Sequence, residues 1–127
     1  MATVAHCDTH TALWLHAGEI ERIGGKAIEA LETFELMVSP IVRLEMQFLL
    51  EIDRISENPE RIFKSLAKDF GIKVCNDSFE SVVEAAERIH WTRDPFDRII
   101  VAQAQLNNTL LITKDAVIGK HYKYCIW

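Results

Sequence analysis

Four acidic residues of this 127-residue chain, Asp8, Glu45, Asp97 and Asp115, stand where a purely solvated role fits poorly. Asp8 directly follows a short apolar run at 3–7, and Asp115 follows another at 109–113 after a single lysine. Glu45 has Ile41, Phe48, Leu49 and Ile52 at −4, +3, +4 and +7, while Asp97 has Ile100, Val101 and Ala104 at +3, +4 and +7. Those spacings put each carboxylate on the apolar face of a helix. An isolated carboxylate in such a place is costly, so it must be protonated, paired with a cation or bound to a metal. Four carboxylates with no His or Cys at ligand spacing select a hard cation, Mg²⁺ or Mn²⁺, over zinc. A set of this kind suits metal-assisted hydrolysis of a phosphodiester. Thr9 and Thr113, beside the strand-end acids, are candidate hydrogen-bonding partners, and Asp94, next to Pro95, reads as a helix cap. Each acid also has a structural reading: a cap or turn for Asp8 and Asp115, an internal salt bridge for Glu45, and a favourable helix-dipole position for Asp97.

For these acids to meet, the elements carrying them must converge. Short strands are expected at 3–7, 35–38, 72–75, 109–113 and 124–127, with helices between them at 9–17, 22–33, 40–54, 59–70, 79–89 and 95–107. Three helices begin with Pro behind a capping or turn residue, at Ser39-Pro40, Asn58-Pro59 and Asp94-Pro95. Pro is favoured at the first helical position because the N–H it lacks would have no partner there. Strands of four or five residues alternating with helices imply an α/β fold with a mostly parallel sheet covered on both faces. Ligands of such sheets sit beyond the carboxyl ends of the strands. No linker, low-complexity tract or repeat interrupts the chain, so a single domain over 1–127 is expected.

Composition narrows the classes. Apolar residues make up 49% and charged residues 26%, the balance of a folded globular protein rather than a disordered one. No apolar run is long enough to span a bilayer, and the start lacks a cationic stretch before an apolar one, so a cytoplasmic protein without membrane contact is expected. Cys7, Cys75 and Cys125 lack CxxC spacing and read as reduced, buried thiols. The net charge of −5 argues against a broad basic nucleic-acid surface. Charge is unevenly spread, since residues 1–63 carry 5 basic and 11 acidic side chains and residues 64–127 carry 9 and 8. Arg43, Arg98 and Lys114 are among the cations nearest the acids in sequence and are candidate phosphate contacts. His10, His16, His90 and His121 form no ligand pair on one helix, and Trp14 reads as core or partner-facing.

The segments AHCDTHTALWLHAG, SPIVRLEMQFLLEI, WTRDPFDRIIVAQA and LLITKDAVIGKHY, in that order, resemble the PIN-domain ribonucleases and among them the VapC-like toxins of toxin–antitoxin pairs. The resemblance spans essentially the whole chain and rests most on DPFDRIIVAQA followed by LLITKD. It implies an α/β/α sandwich, endoribonuclease activity dependent on Mg²⁺ or Mn²⁺, an RNA substrate and a cognate antitoxin. The family acids match Asp8, Glu45, Asp97 and Asp115, and the accompanying hydroxyl matches Thr113. The resemblance also implies a homodimer, for which the apolar residues around Trp14 and at 36–38 are the expected surface. A PIN nuclease of RNA processing without an antitoxin and a non-catalytic module of the same fold are the alternatives. Two other classes fit poorly, because no GxGxxG follows a strand and His10 occupies the place of the second acid in a DxD motif.

Overall fold

The computed structural model describes residues 3–127. Five strands, β1 (Val4–Cys7), β2 (Glu35–Val38), β3 (Lys73–Val74), β4 (Leu110–Ile112) and β5 (Cys125–Ile126), form an all-parallel sheet in the order β3-β2-β1-β4-β5. Among the described residues seven α-helices connect them: α1 (Thr9–Ala17), α2 (Gly25–Thr33), α3 (Pro40–Glu51), α4 (Pro59–Phe70), α5 (Phe79–Glu87), α6 (Pro95–Asn107) and α7 (Ala116–His121). Parallel crossovers are right-handed. Helices α1 to α4, on connections that lead away from β1 toward β3, therefore cover one face of the sheet. Helices α5 to α7, on connections that lead back to β4 and on to β5, cover the other. The expected three-layer α/β/α sandwich is the observed one.

Because both faces are covered, the central strands are apolar at consecutive positions instead of alternating. Ala5, Cys7, Leu36, Val38, Leu111 and Ile112 are all buried. His6 is the exception inside β1: it is buried, with Nδ1 2.8 Å from the Thr109 hydroxyl, and burial lowers its pKa, which favours the neutral ring. Cys7 and Cys75 are buried and Cys125 partly so, all three as free thiols.

The three Pro-initiated helices start where the sequence places them. Ser39, Asn58 and Asp94 cap them, accepting from the N–H groups of Ile41, Arg61 and Phe96 at 3.2, 3.0 and 2.8 Å. Elsewhere the boundaries move. The helix expected over 22–33 is divided into a 3-10 turn at Ile20–Arg22 and α2, because Gly24 takes an extended conformation between them. A Cβ on Gly24 would lie 2.7 Å from the Trp127 ring, so the close approach of that ring requires glycine. Helix α3 ends at Glu51 rather than at 54, and the six-residue α7 was not expected at all. The residues at 36–38 form β2 in the middle of the sheet, with Leu36 and Val38 buried, so they offer no dimer surface. No helix among the described residues is long and apolar enough to cross a membrane.

The register of β1 against β4 pairs Ala5 with Leu110 and Cys7 with Ile112, so Asp8 and Thr113 leave the sheet side by side. Tyr122 secures this part of β4 from the far side. Its hydroxyl lies 2.5 Å from Thr109 O and 3.1 Å from Ala104 O, and burial pushes its pKa up to about 12. Tyr122→Phe should lower stability by about 1–2 kcal/mol, since the tyrosine hydroxyl is lost from two buried carbonyls. The expected readout is a lower urea midpoint with an unchanged m-value, and an unaltered midpoint would show that the contact contributes nothing.

Candidate active site

Between β1 and β4 the chain reverses its direction of progress across the sheet. From β1 it moves toward β2 and β3, and from β4 it moves toward β5. A crevice opens at such a point, beyond the carboxyl ends of the strands. Here it is a cleft of about 520 Å³ lined by Asp8, Thr9, His10, Trp14, Glu45, Asp94, Asp97, Ile100, Lys114 and Asp115. All four acids singled out in the sequence line it, together with Asp94, Thr9 and Lys114.

Each acid is fixed differently. Asp8 caps α1, with Oδ1 accepting from Thr11 N at 2.9 Å, while Oδ2 accepts from the Thr113 hydroxyl. The cap reading of Asp8 is therefore correct, and the same side chain also lines the cleft. Asp115 caps α7 through Oδ1, which accepts from Val117 N and Ile118 N at 2.8 and 3.1 Å, and its own N–H donates to Thr113 Oγ1 at 3.0 Å. Asp94 caps α6, as expected, and faces the cleft as well. Glu45 accepts from the Thr9 hydroxyl and takes part in no ion pair among the described residues, so the salt-bridge reading does not apply to it. The Asp97 carboxylate makes no hydrogen bond among the described residues, while its backbone N–H donates to Asp94 Oδ1 at 3.4 Å.

The phase argument holds for Asp97, whose neighbours Ile100, Val101 and Ala104 are buried at 2%, 0% and 0% exposure. For Glu45 it needs correction. Helix α3 buries Val42 and Met46, whereas Phe48 and Ile52 are 46% and 45% exposed. Glu45 is half-buried on the flank between the two faces. A helix with apolar residues on nearly every side does not reveal which side is inward, and the neighbouring elements decide.

Two of the three candidate phosphate contacts lie elsewhere. Arg43 reaches over the Phe63 ring, 5.8 Å from its centroid, in a groove between α3 and α4. Arg98 sits with Val83, Ala86 and Glu87 against α5. Helix geometry explains both, since a residue one or two positions from an inward acid is rotated roughly 100–200° away from it. Lys114 does line the cleft, and so do His10 and Trp14, two residues read as surface and as core or partner-facing. Their spacing of four on α1 is the signal that they share one face with each other.

Crowding makes the cleft electrostatically strained. Burial and the charges of Asp94, Asp115, Glu45 and Asp8 push the Asp97 carboxyl up to about 7. Burial also raises Asp8 and Glu45, against the opposing pull of the Thr113 and Thr11 hydrogen bonds on Asp8 and of Thr9 on Glu45. Among the described residues no three of these side chains already stand in metal-ligating geometry. The donor set is nevertheless all oxygen, and its repulsion would be relieved by a divalent cation, so its chemistry fits one.

The fold and cleft define a doubly covered parallel α/β domain with a carboxylate site at its switch point. The PIN domain family model matches residues 6–124, so the chain belongs to the PIN domain family. Among solved structures it is similar to a toxin–antitoxin complex from Klebsiella pneumoniae, at 20% identity over 97% of this chain and 96% of that one, with a TM-score of 0.63. It is also similar to VapBC2 from Rickettsia felis bound to a promoter DNA fragment, at 12% identity over 98% and 97% of the chains, with a TM-score of 0.61. No curated protein matches the chain in sequence.

The raised Asp97 pKa has a sign that can be tested. Between the unfolded value of 3.8 and the folded value of about 7, the folded state keeps a proton that the unfolded state has lost. Stability of the metal-free protein therefore falls as pH rises through this interval and stays low above it. Denaturant melts in chelator, run at about pH 5 and about pH 8, should show this loss, and Asp97→Asn should shrink it. An equal loss in wild type and variant would place the strain on other groups.

Proposed function

We propose that this protein is a metal-dependent endoribonuclease acting as the toxin of a toxin–antitoxin pair. The observation that carries the reading is the convergence of acids from four separate segments, Asp8, Glu45, Asp97 and Asp115, on one cleft at the switch point. PIN domains are generally nucleases, which supports phosphodiester cleavage as the chemistry. Its similarity to a toxin–antitoxin complex and to VapBC2 supports an antitoxin protein as the partner.

Asp8, Asp97, Asp115 and Glu45 would hold Mg²⁺ or Mn²⁺. When bound, such an ion stabilises charge on the phosphodiester oxygens and makes an attacking water more acidic. The Thr113 and Thr9 hydroxyls hold the Asp8 and Glu45 carboxylates in orientation, so those two would hold a cation with little further loss of rotational freedom. Asp97, the least restrained and the most repelled, gains most from the cation's arrival. Asp94 keeps the first turn of α6 in place and so positions Asp97. Lys114 offers its charge to a phosphate at the rim of the cleft. A homodimer belongs to the same proposal. Leu44 and Phe79, 57% and 76% exposed beside a small apolar hollow with Ile41, Val82 and Ile99, supply surface for it in place of residues 36–38.

Purified protein should cleave RNA with added Mg²⁺ or Mn²⁺ and lose that activity in EDTA; undiminished cleavage in chelator would refute the metal mechanism. Asp8→Asn and Asp97→Asn should remain folded, lose cleavage by orders of magnitude and no longer arrest growth on expression. A folded Asp97→Asn protein with near-normal cleavage would remove the site assignment. Glu45→Gln should leave the metal-free protein as stable as wild type or more so, because it deletes a repelling charge that has no ion-pair partner. A large loss of stability in that variant would instead give Glu45 a structural role.

A further inference from the structure

The acid cleft does not end at the acids. His10 and Trp14, one turn apart on α1 with ring centroids 5.8 Å apart, line it and also line a second cavity of about 490 Å³ alongside. That cavity is also lined by Arg54, Leu49 and Ile55 and by two ion pairs, Arg22–Glu19 and His16–Glu57. The Arg22 guanidinium lies 5.0 Å from the Trp14 ring centroid and the Lys114 ammonium 5.8 Å from it. Trp14 thus lies near two cations and borders both cavities, half-buried and edge-on to Trp127 at 5.9 Å. Arg22 is tied to Glu19 at 2.9 Å, but neither Arg54 nor Lys114 takes part in an ion pair among the described residues.

In a chain of net charge −5, two cations outside any ion pair among the described residues, Lys114 at the Trp14 ring and Arg54 in the second cavity that Trp14 lines, form a local exception next to a carboxylate cleft. Aromatic faces that stack bases, flanked by cations that meet phosphates, are how single-stranded nucleic acid is held without reading its sequence. Tryptophan has the largest face and tolerates any base. We propose that His10 and Trp14, with Lys114 and Arg54, form the subsite that seats the nucleotide next to the phosphodiester cleaved in the acid cleft, the base against the rings and its phosphate between the two cations. The inference rests on the nuclease reading above and adds the place where the strand lies. A protein segment is the less favoured occupant, because Arg54 and Lys114 offer positive charge outside any ion pair among the described residues, which complements phosphates.

Binding of a labelled single-stranded oligoribonucleotide, followed by fluorescence anisotropy in the non-cleaving Asp97→Asn background, tests the subsite. Trp14→Leu should weaken binding about tenfold and Trp14→Phe by much less, as loss of one stacked base predicts. Arg54→Gln, at an exposed position where folding is not at risk, should weaken binding several-fold and reduce the slope of log affinity against log salt by about 0.7. Lys26→Gln, an exposed cation on α2 outside both cavities, should change neither. With the acids intact, Trp14→Leu and Arg54→Gln should raise KM for RNA and leave kcat nearly unchanged. Wild-type affinity, salt slope and KM in both variants would overturn the subsite, also if the same variants lose a protein partner instead. That result is distinct from failure of the nuclease reading, which appears as wild-type protein without metal-dependent cleavage and takes the subsite with it.

Discussion

Mutual repulsion among carboxylates held at the boundary between β1 and β4 is the constraint around which the rest of the molecule is arranged. Left to itself, a group of five acids in one cleft would spread into solvent. Three of them cannot, because they are also helix caps: Asp8 closes the start of α1, Asp94 that of α6 and Asp115 that of α7. Each cap ties a carboxylate oxygen to backbone N–H groups and aims the positive end of a helix at the negative cleft. The local rule that places Asp at a helix start and the tertiary arrangement that brings three helix starts together thus act in the same direction.

Glu45 and Asp97 have no such anchor in a cap, and they differ in what replaces it. Glu45 is held by the Thr9 hydroxyl. Asp97 has no equivalent, and it is the group whose pKa rises to about 7. Burial first, and then the charges of the other four acids, act most on this residue at the first turn of α6. A fold that stores repulsion in this way gives up some stability in the metal-free state, and sites of this kind commonly depart from local optimum for the sake of function. The apolar sheet beneath is closed on both faces and held near β4 by Tyr122.

The face of α1 illustrates how one short helix can serve two ends of a site. Its cap is an acid of the cleft, its first turn carries the hydroxyl that holds Glu45, and its next turn presents Trp14 between Arg22 and Lys114. The nine residues of α1 therefore link the acidic part of the cleft to its aromatic and cationic extension.

What could be read from the sequence was what neighbours in the chain decide. Pro at the first helical position after Ser39, Asn58 and Asp94 fixed three helix starts, because the missing N–H and restricted φ act within a few residues. Strand runs flanking Asp8 and Asp115 identified the sheet edge where the acid cleft opens, and the burial of Ile100, Val101 and Ala104 around Asp97 followed from helical spacing alone. The resemblance of DPFDRIIVAQA and LLITKD to PIN domains pointed to the same acids. Tertiary structure alone decided the inward side of α3, since that helix is apolar on most sides and only packing chose Val42 and Met46 over Phe48 and Ile52. It also set residues 36–38 inside the sheet, held Gly24 against Trp127 and brought Lys114 to the ring of Trp14. Those outcomes depend on contacts between residues far apart in sequence, and local propensity carries no information about which distant side chain arrives.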